Sequence, residues 1–145
     1  MIIAVDFDGT IVKHEYPEIG AERPFAVKTL KMLQKDGHVL ILWSVREGKY
    51  LDDAVEWCRE RGLEFSSVNS NFIEEHSEMK GFSRKLKADI FIDDRNFGGL
   101  PSWAAIYDVI KRKQHFSLDM DSICYQEPKK KKSFFRKLLS IMAIK

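Results

Sequence analysis

Ile2-Ile3-Ala4-Val5-Asp6-Phe7-Asp8-Gly9-Thr10 is the stretch on which the fold turns. Four apolar residues run straight into two carboxylates, a glycine and a threonine. Apolarity without alternation marks a strand covered on both faces, as in a parallel sheet. Two further runs repeat the pattern. Val39–Trp43 ends in Ser44-Val45-Arg46, and Ala88–Ile92, interrupted only by Asp89, ends in Asp93-Asp94-Arg95-Asn96. In an open parallel sheet, ligands bind beyond the carboxyl ends of the strands. The three runs therefore deliver polar groups to one sheet edge, whereas purely structural carboxylates would be scattered.

Helical patterns separate these runs. Pro24 opens one that extends to about Asp36, with Val27, Leu30 and Leu33 on one face and Gly37 as its stop. Leu51, Ala54, Val55 and Cys58 recur at helical spacing before Gly62. Pro101 and Ser102 open a third helix, with Trp103, Ile106 and Ile110 inward. Phe65–Asn69 reads as a further short strand and residues 115–120 as an edge strand. Residues 70–87 read mostly as loop. Strands alternating with helices predict an α/β fold: a Rossmann-like three-layer sandwich around a mainly parallel sheet, with right-handed crossovers.

A chain of 145 residues suffices for one core. We expect one domain over 1–125, then a basic linker and a short amphipathic or disordered tail over 126–145. Apolar residues make up 44% and charged residues 32%, which excludes fibrous and wholly disordered classes. No stretch approaches the roughly 20 apolar residues of a membrane span. The first residues show neither a basic leader nor a cleavage site, and Cys58 and Cys124 form no disulfide framework. A cytoplasmic protein with reduced thiols is the expectation.

The net charge of +2 conceals an asymmetry. Residues 128–145 hold Lys129, Lys130, Lys131, Lys132, Arg136, Lys137 and Lys145 and no acid, which leaves 17 basic against 22 acidic groups elsewhere. A body that grips nucleic acid across its face is not supported. After the lysines, Phe134, Phe135, Leu138, Leu139 and Met142 recur at helical spacing. A basic amphipathic segment of this kind contacts an anionic membrane surface or nucleic acid, or else is disordered or docked on protein. Composition leaves the oligomeric state undetermined.

Asp6 and Asp8, two apart in extended chain, would point to one side, and Gly9 allows a sharp turn after them. Adding Asp93 and Asp94 at the same edge makes a cluster that is costly without a cation. Oxygen-only ligands suit Mg²⁺. Arg46, two residues after Ser44, would face the same site and could take a phosphate in a bidentate grip. Lys85, with Lys87 as the alternative, would bring an ammonium to the carboxylates. His14, His76, Arg95 and Phe97-Gly98-Gly99 have weaker claims. His38, Trp43, Trp57 and Trp103 read as structural.

Asp6-Phe7-Asp8-Gly9-Thr10-Ile11 resembles the first motif of the haloacid dehalogenase-like hydrolase superfamily. Ser44 resembles its second motif, Lys85 its third and Asp93-Asp94 its acidic fourth, all in order. The segments around Ser44-Val45-Arg46 and Ile92–Arg95 are also similar to the phosphatase module of polynucleotide kinase-phosphatases. The resemblance implies an Mg²⁺-dependent phosphomonoesterase. Asp6 would be the nucleophile forming an aspartyl-phosphate, and Asp8 the general acid and base, its backbone carbonyl on the metal. Thr10 would position Asp8 and Ser44 a phosphoryl oxygen, while Lys85 would tie the phosphate to Asp6. Asp94, or else Asp93, would bind the metal directly. The family's two cap insertion points hold only residues 11–24 and 70–84 here, too few for a cap with its own core. A small flap over residues 14–19 is the most that fits. The implied substrate is a phosphorylated molecule, with nucleotides and polynucleotide ends favoured. Two rivals stay open: a catalytically weak binding or regulatory module, and an adaptor recruited through residues 129–145.

Overall fold

The structure is a computed structural model that describes residues 1–112, and Met1–Arg112 form one compact unit. The expected domain boundary at 125, the edge strand at 115–120, the linker and the basic tail lie outside the described residues.

Four strands, β1 (Ile2–Val5), β2 (Val39–Leu42), β3 (Ser67–Val68) and β4 (Ile90–Ile92), form a sheet in the order β3-β2-β1-β4, every pair parallel. Three helices connect or follow them: α1 (Ala26–Lys35), α2 (Gly48–Glu60) and α3 (Trp103–Lys111). The chain is thus an α/β protein of the Rossmann-like kind. β1 is central, with Ala4 opposite Ile41 on one side and Phe91 on the other.

Alternation along the strands sends side chains to opposite faces. Ile3, Val5, Leu40, Leu42 and Ile92 enter the main core with Leu30 and Leu33 of α1, Ala54 and Cys58 of α2, and Trp103, Ile106 and Ile110 of α3. All three helices therefore cover one face. Ala4, Ile41 and Phe91 meet Leu86, Ala88 and Trp43 on the other, so among the described residues the third layer is irregular chain leading into β4. This explains the unbroken apolarity of the strands. Burying a Leu or Ile side chain contributes about 1.5–3 kcal/mol, so β1 and β2 are the mechanical centre of the fold.

Local chemistry explains the boundaries. α3 starts at Ser102, whose hydroxyl accepts from the Ala105 amide. Gly37, at φ +84°, follows the end of α1. Asp89 explains its own interruption of an apolar run. Its carboxylate accepts the Ile2 amide at 2.7 Å while its own amide donates to the Ile2 carbonyl at 2.8 Å, so Asp89 docks the start of β4 onto β1. β3 is two residues long where Phe65–Asn69 was expected, and Asn69, at a left-handed φ of +52°, ends it. No helix or strand forms over 70–87, as expected for loop. Trp57 packs edge-on to Phe7 and Trp103 is buried, while His38 meets the N-terminal amine. No described helix is long and apolar enough to cross a membrane.

Candidate active site

The carboxyl ends of β1, β2 and β4 meet around a cavity of about 400 Å³ lined by Asp6, Trp43, Ser44, Val45, Asn69, Phe82, Arg84, Asp93 and Arg95. Asp6 leaves β1 with its amide donating to the Ile92 carbonyl at 2.9 Å, which ties the ends of β1 and β4 together. Its carboxylate Oδ2 accepts from Thr10 Oγ1 at 2.9 Å, and Thr10 Oγ1 in turn accepts from the Asp94 amide at 2.9 Å. A fully buried threonine thus spaces the two acidic strand ends. Thr10 was expected to position Asp8. It positions Asp6 instead, because the turn at Gly9 folds it back over the strand end.

Carboxylate oxygens of Asp6, Asp93 and Asp94 lie within 4.8 Å of one another. Burial is the largest cause pushing the Asp6 carboxyl up to about 6. Hydrogen bonds from Thr10 and the Phe7 backbone oppose the rise, and repulsion by Asp93 and Asp94 adds to it. Asp94 Oδ1 is buried without a hydrogen-bond partner. Asp94 also lies so close to Gly9 that a Cβ there would fall 2.2 Å from Oδ2, and Gly9 has φ +90°. Only glycine meets both conditions. Three oxygen ligands, one of them buried and unpartnered, fit a hard divalent cation such as Mg²⁺. Asp93 differs from Asp94 in lining the cavity and accepting the Arg95 amide at 2.8 Å.

Asp8 does not share the direction of Asp6. Its carboxylate takes a two-point grip from Arg46, Nε to Oδ2 at 2.6 Å and Nη2 to Oδ1 at 2.7 Å. Arg46 also donates to the carbonyls of Pro17 at 2.9 Å and Glu18 at 2.8 Å, with a longer contact to that of Tyr50. The guanidinium stacks over Phe7 and Tyr16. All five donors are thus engaged in a residue only 1% exposed. The expectation that Arg46 grips substrate phosphate is corrected: its donors are spent on Asp8 and on the flap. That flap follows β1, where Ile11–Lys13 bond back to residues 21–23 and residues 14–20 project between.

Ser44 stands where expected. Asn69, at the end of β3, accepts the Ser44 amide through Oδ1 and donates to its carbonyl through Nδ2, both at 2.8 Å. The Ser44 hydroxyl accepts from the Arg46 amide at 3.2 Å, and Ser44 lines the cavity.

Lys85 is not brought to the carboxylates. Leu86 is pinned in the second core cluster, and beside it the Lys85 ammonium lies over the Phe91 ring, 5.9 Å from its centroid. Lys87 gives its amide to Asn71. The cations that reach the cavity are Arg84 and Arg95. Arg84 was missed, since nothing in a polar loop distinguishes it from Lys85. Asn69 was missed too, although an Asn just past a strand is a known left-handed residue. His14 and His76 are exposed and do not line the cavity.

No family model and no curated protein matches the chain. A solved structure is similar: the conserved protein coded by a locus from Bacteroides thetaiotaomicron, 66% identical, with a TM-score of 0.75. The match covers 80% of this chain and 93% of that one.

Proposed function

The chain belongs to the family of that conserved Bacteroides thetaiotaomicron protein, and from the chemistry of the site we propose that it is a phosphomonoesterase of the haloacid dehalogenase-like type, dependent on a divalent cation, most simply Mg²⁺. One observation carries the reading: Asp6, Asp93 and Asp94 converge within 4.8 Å at the ends of two neighbouring strands, beside a cavity open to substrate.

Asp6, Asp93 and Asp94 would hold the cation, which when bound offsets their repulsion and withdraws charge from the phosphate. An Asp6 oxygen attacks phosphorus while the bond to the leaving alkoxide breaks. Asp8 gives that alkoxide its proton. A water then attacks the aspartyl-phosphate, loses a proton to Asp8, and releases phosphate with Asp6 restored. Ser44, fixed by Asn69, donates to a phosphoryl oxygen, and Thr10 aims Asp6. The proton step requires Asp8 to exchange Arg46 for the leaving oxygen. Lys85, cast by the resemblance as the phosphate-tying cation, stands over Phe91 and has no part in this arrangement. The open cavity suits an extended substrate such as a nucleotide or a polynucleotide end.

The Asp8–Arg46 pair favours a second reading, a metal-binding module that turns over little, because a carboxylate gripped at both oxygens is a poor acid. The test is Mg²⁺-dependent phosphate release by wild type and Asp6→Asn across nucleotides, phosphorylated oligonucleotides, sugar phosphates and an aryl phosphate. Release lost in Asp6→Asn supports the phosphatase. Magnesium binding with no release above that variant supports the module.

A further inference from the structure

The phosphatase reading accounts for the acidic floor of the cavity but leaves its rim unexplained. Arg84, from the chain before β4, and Arg95, just after it, both line the cavity. Among the described residues, Arg46, Arg59, Arg61 and Arg112 each sit on a carboxylate, whereas Arg23, Arg84 and Arg95 form no ion pair; of these three, Arg84 and Arg95 line the cavity, and neither pairs with Asp6 or Asp93 across it. A guanidinium is a planar fork suited to phosphate oxygens. Trp43, Val45 and Phe82 supply an apolar wall to the same space. Phe82 is 39% exposed, so part of its ring is uncovered. Such walls suit a flat ring. One small phosphate on the acidic floor would use neither the second cationic group nor the wall.

We propose that Arg84 and Arg95 form a second anion subsite and that Trp43 and Phe82 flank a ring. The substrate is then a phosphomonoester built on a planar ring and carrying a second phosphate. A free nucleoside bisphosphate and the phosphorylated end of a single-stranded oligonucleotide both meet this description. The inference rests on the phosphatase reading for the identity of the scissile group.

The experiment compares kcat/KM of wild type, Arg84→Met and Arg95→Met on adenosine monophosphate, adenosine bisphosphate with phosphates at opposite ends of the ribose, fructose bisphosphate and a dinucleotide with a terminal phosphate. Wild type is expected to favour adenosine bisphosphate over the monophosphate by roughly tenfold or more, as two charge-assisted contacts require. Either substitution is expected to bring that ratio toward unity. A ratio near unity in wild type, or one that both substitutions leave intact, overturns the subsite. Fructose bisphosphate equalling adenosine bisphosphate overturns the ring wall. A faster dinucleotide assigns the oligonucleotide end, and a slower one the free nucleotide. A calorimetric titration of Asp6→Asn protein with adenosine bisphosphate, with and without Arg84→Met, separates the two levels. Rim-dependent binding in that variant, together with no phosphate release by wild type on any of the four compounds, sinks the phosphatase and keeps the subsite. Binding indifferent to Arg84 sinks the subsite.

Discussion

Arg46 and Asp8, 38 residues apart in sequence, meet through two hydrogen bonds of 2.6 and 2.7 Å in the interior of the protein. The pair links three pieces of chain: the turn after β1, the entry to α2 and the flap backbone at Pro17 and Glu18. Breaking a buried pair from one side leaves an uncompensated charge. Arg46→Met is therefore expected to cost about 3–5 kcal/mol in urea unfolding. Asp8→Asn with Arg46→Met should cost less than the sum of the single changes, because the orphaned carboxylate is gone. Additive losses would show that the two residues act independently.

Asp6 makes stability depend on pH in a defined direction. Its carboxyl stands at about 6 in the fold against an ordinary 3.8, so folding favours the protonated form. That contribution is complete below about pH 3.8 and is lost as pH rises through 6. In chelator, Asp6→Asn is expected to be more stable than wild type at pH 8 by about 1–2 kcal/mol, a figure reduced for solvent reaching the open cavity. The advantage should vanish near pH 4. Urea unfolding across this range checks it, and an advantage that grows in acid would reverse the assignment.

Magnesium should act on the same carboxylates. Adding Mg²⁺ is expected to raise Tm at pH 8 and to raise it less at pH 5, where Asp6 is protonated. Asp94→Asn should weaken the apparent affinity by roughly tenfold or more. An equal rise in Tm for wild type and Asp94→Asn would mean that magnesium binds elsewhere.

Gly9→Ala tests the close approach to Asp94. The added methyl meets Oδ2 at 2.2 Å on a backbone with φ +90°. We expect a loss of about 1–3 kcal/mol together with weaker magnesium binding. Full stability with unchanged metal affinity would show that the turn relaxes freely.

Asn69→Ala should loosen the Ser44 loop without touching the carboxylates. The expected result is a rise in KM for phosphomonoesters of roughly tenfold, with kcat less affected. A loss confined to kcat would place Asn69 in another role.

What was legible in the chain was local. The apolar runs, the polar residues that follow each of them, and glycine stops such as Gly37 located β1, β2, β4 and the helices to within about two residues, apart from the start of α2 at Gly48, which the pattern beginning at Leu51 left out. Asp89 ties the start of β4 to Ile2 through a contact that no local pattern announces. The convergence of Asp6, Asp93 and Asp94 was legible because strand ends in a parallel sheet share an edge. The partners of Arg46 and Thr10 were not, since a pairing across dozens of residues depends on where a turn directs the side chain. Arg84 and Lys85 are neighbours of like charge, and no local pattern tells that Arg84 lines the cavity while Lys85 lies over Phe91.

The bond from the Asp94 amide to Thr10 spans 84 residues. Asp6 is made among the first residues of the chain, whereas its acidic partners arrive only with the last described strand. A growing chain that has not yet completed β4 carries a solitary Asp6, with no cluster to concentrate a cation. Metal affinity should therefore appear in one step, as β4 docks beside β1, so that the chemistry is withheld until the sheet is closed around it.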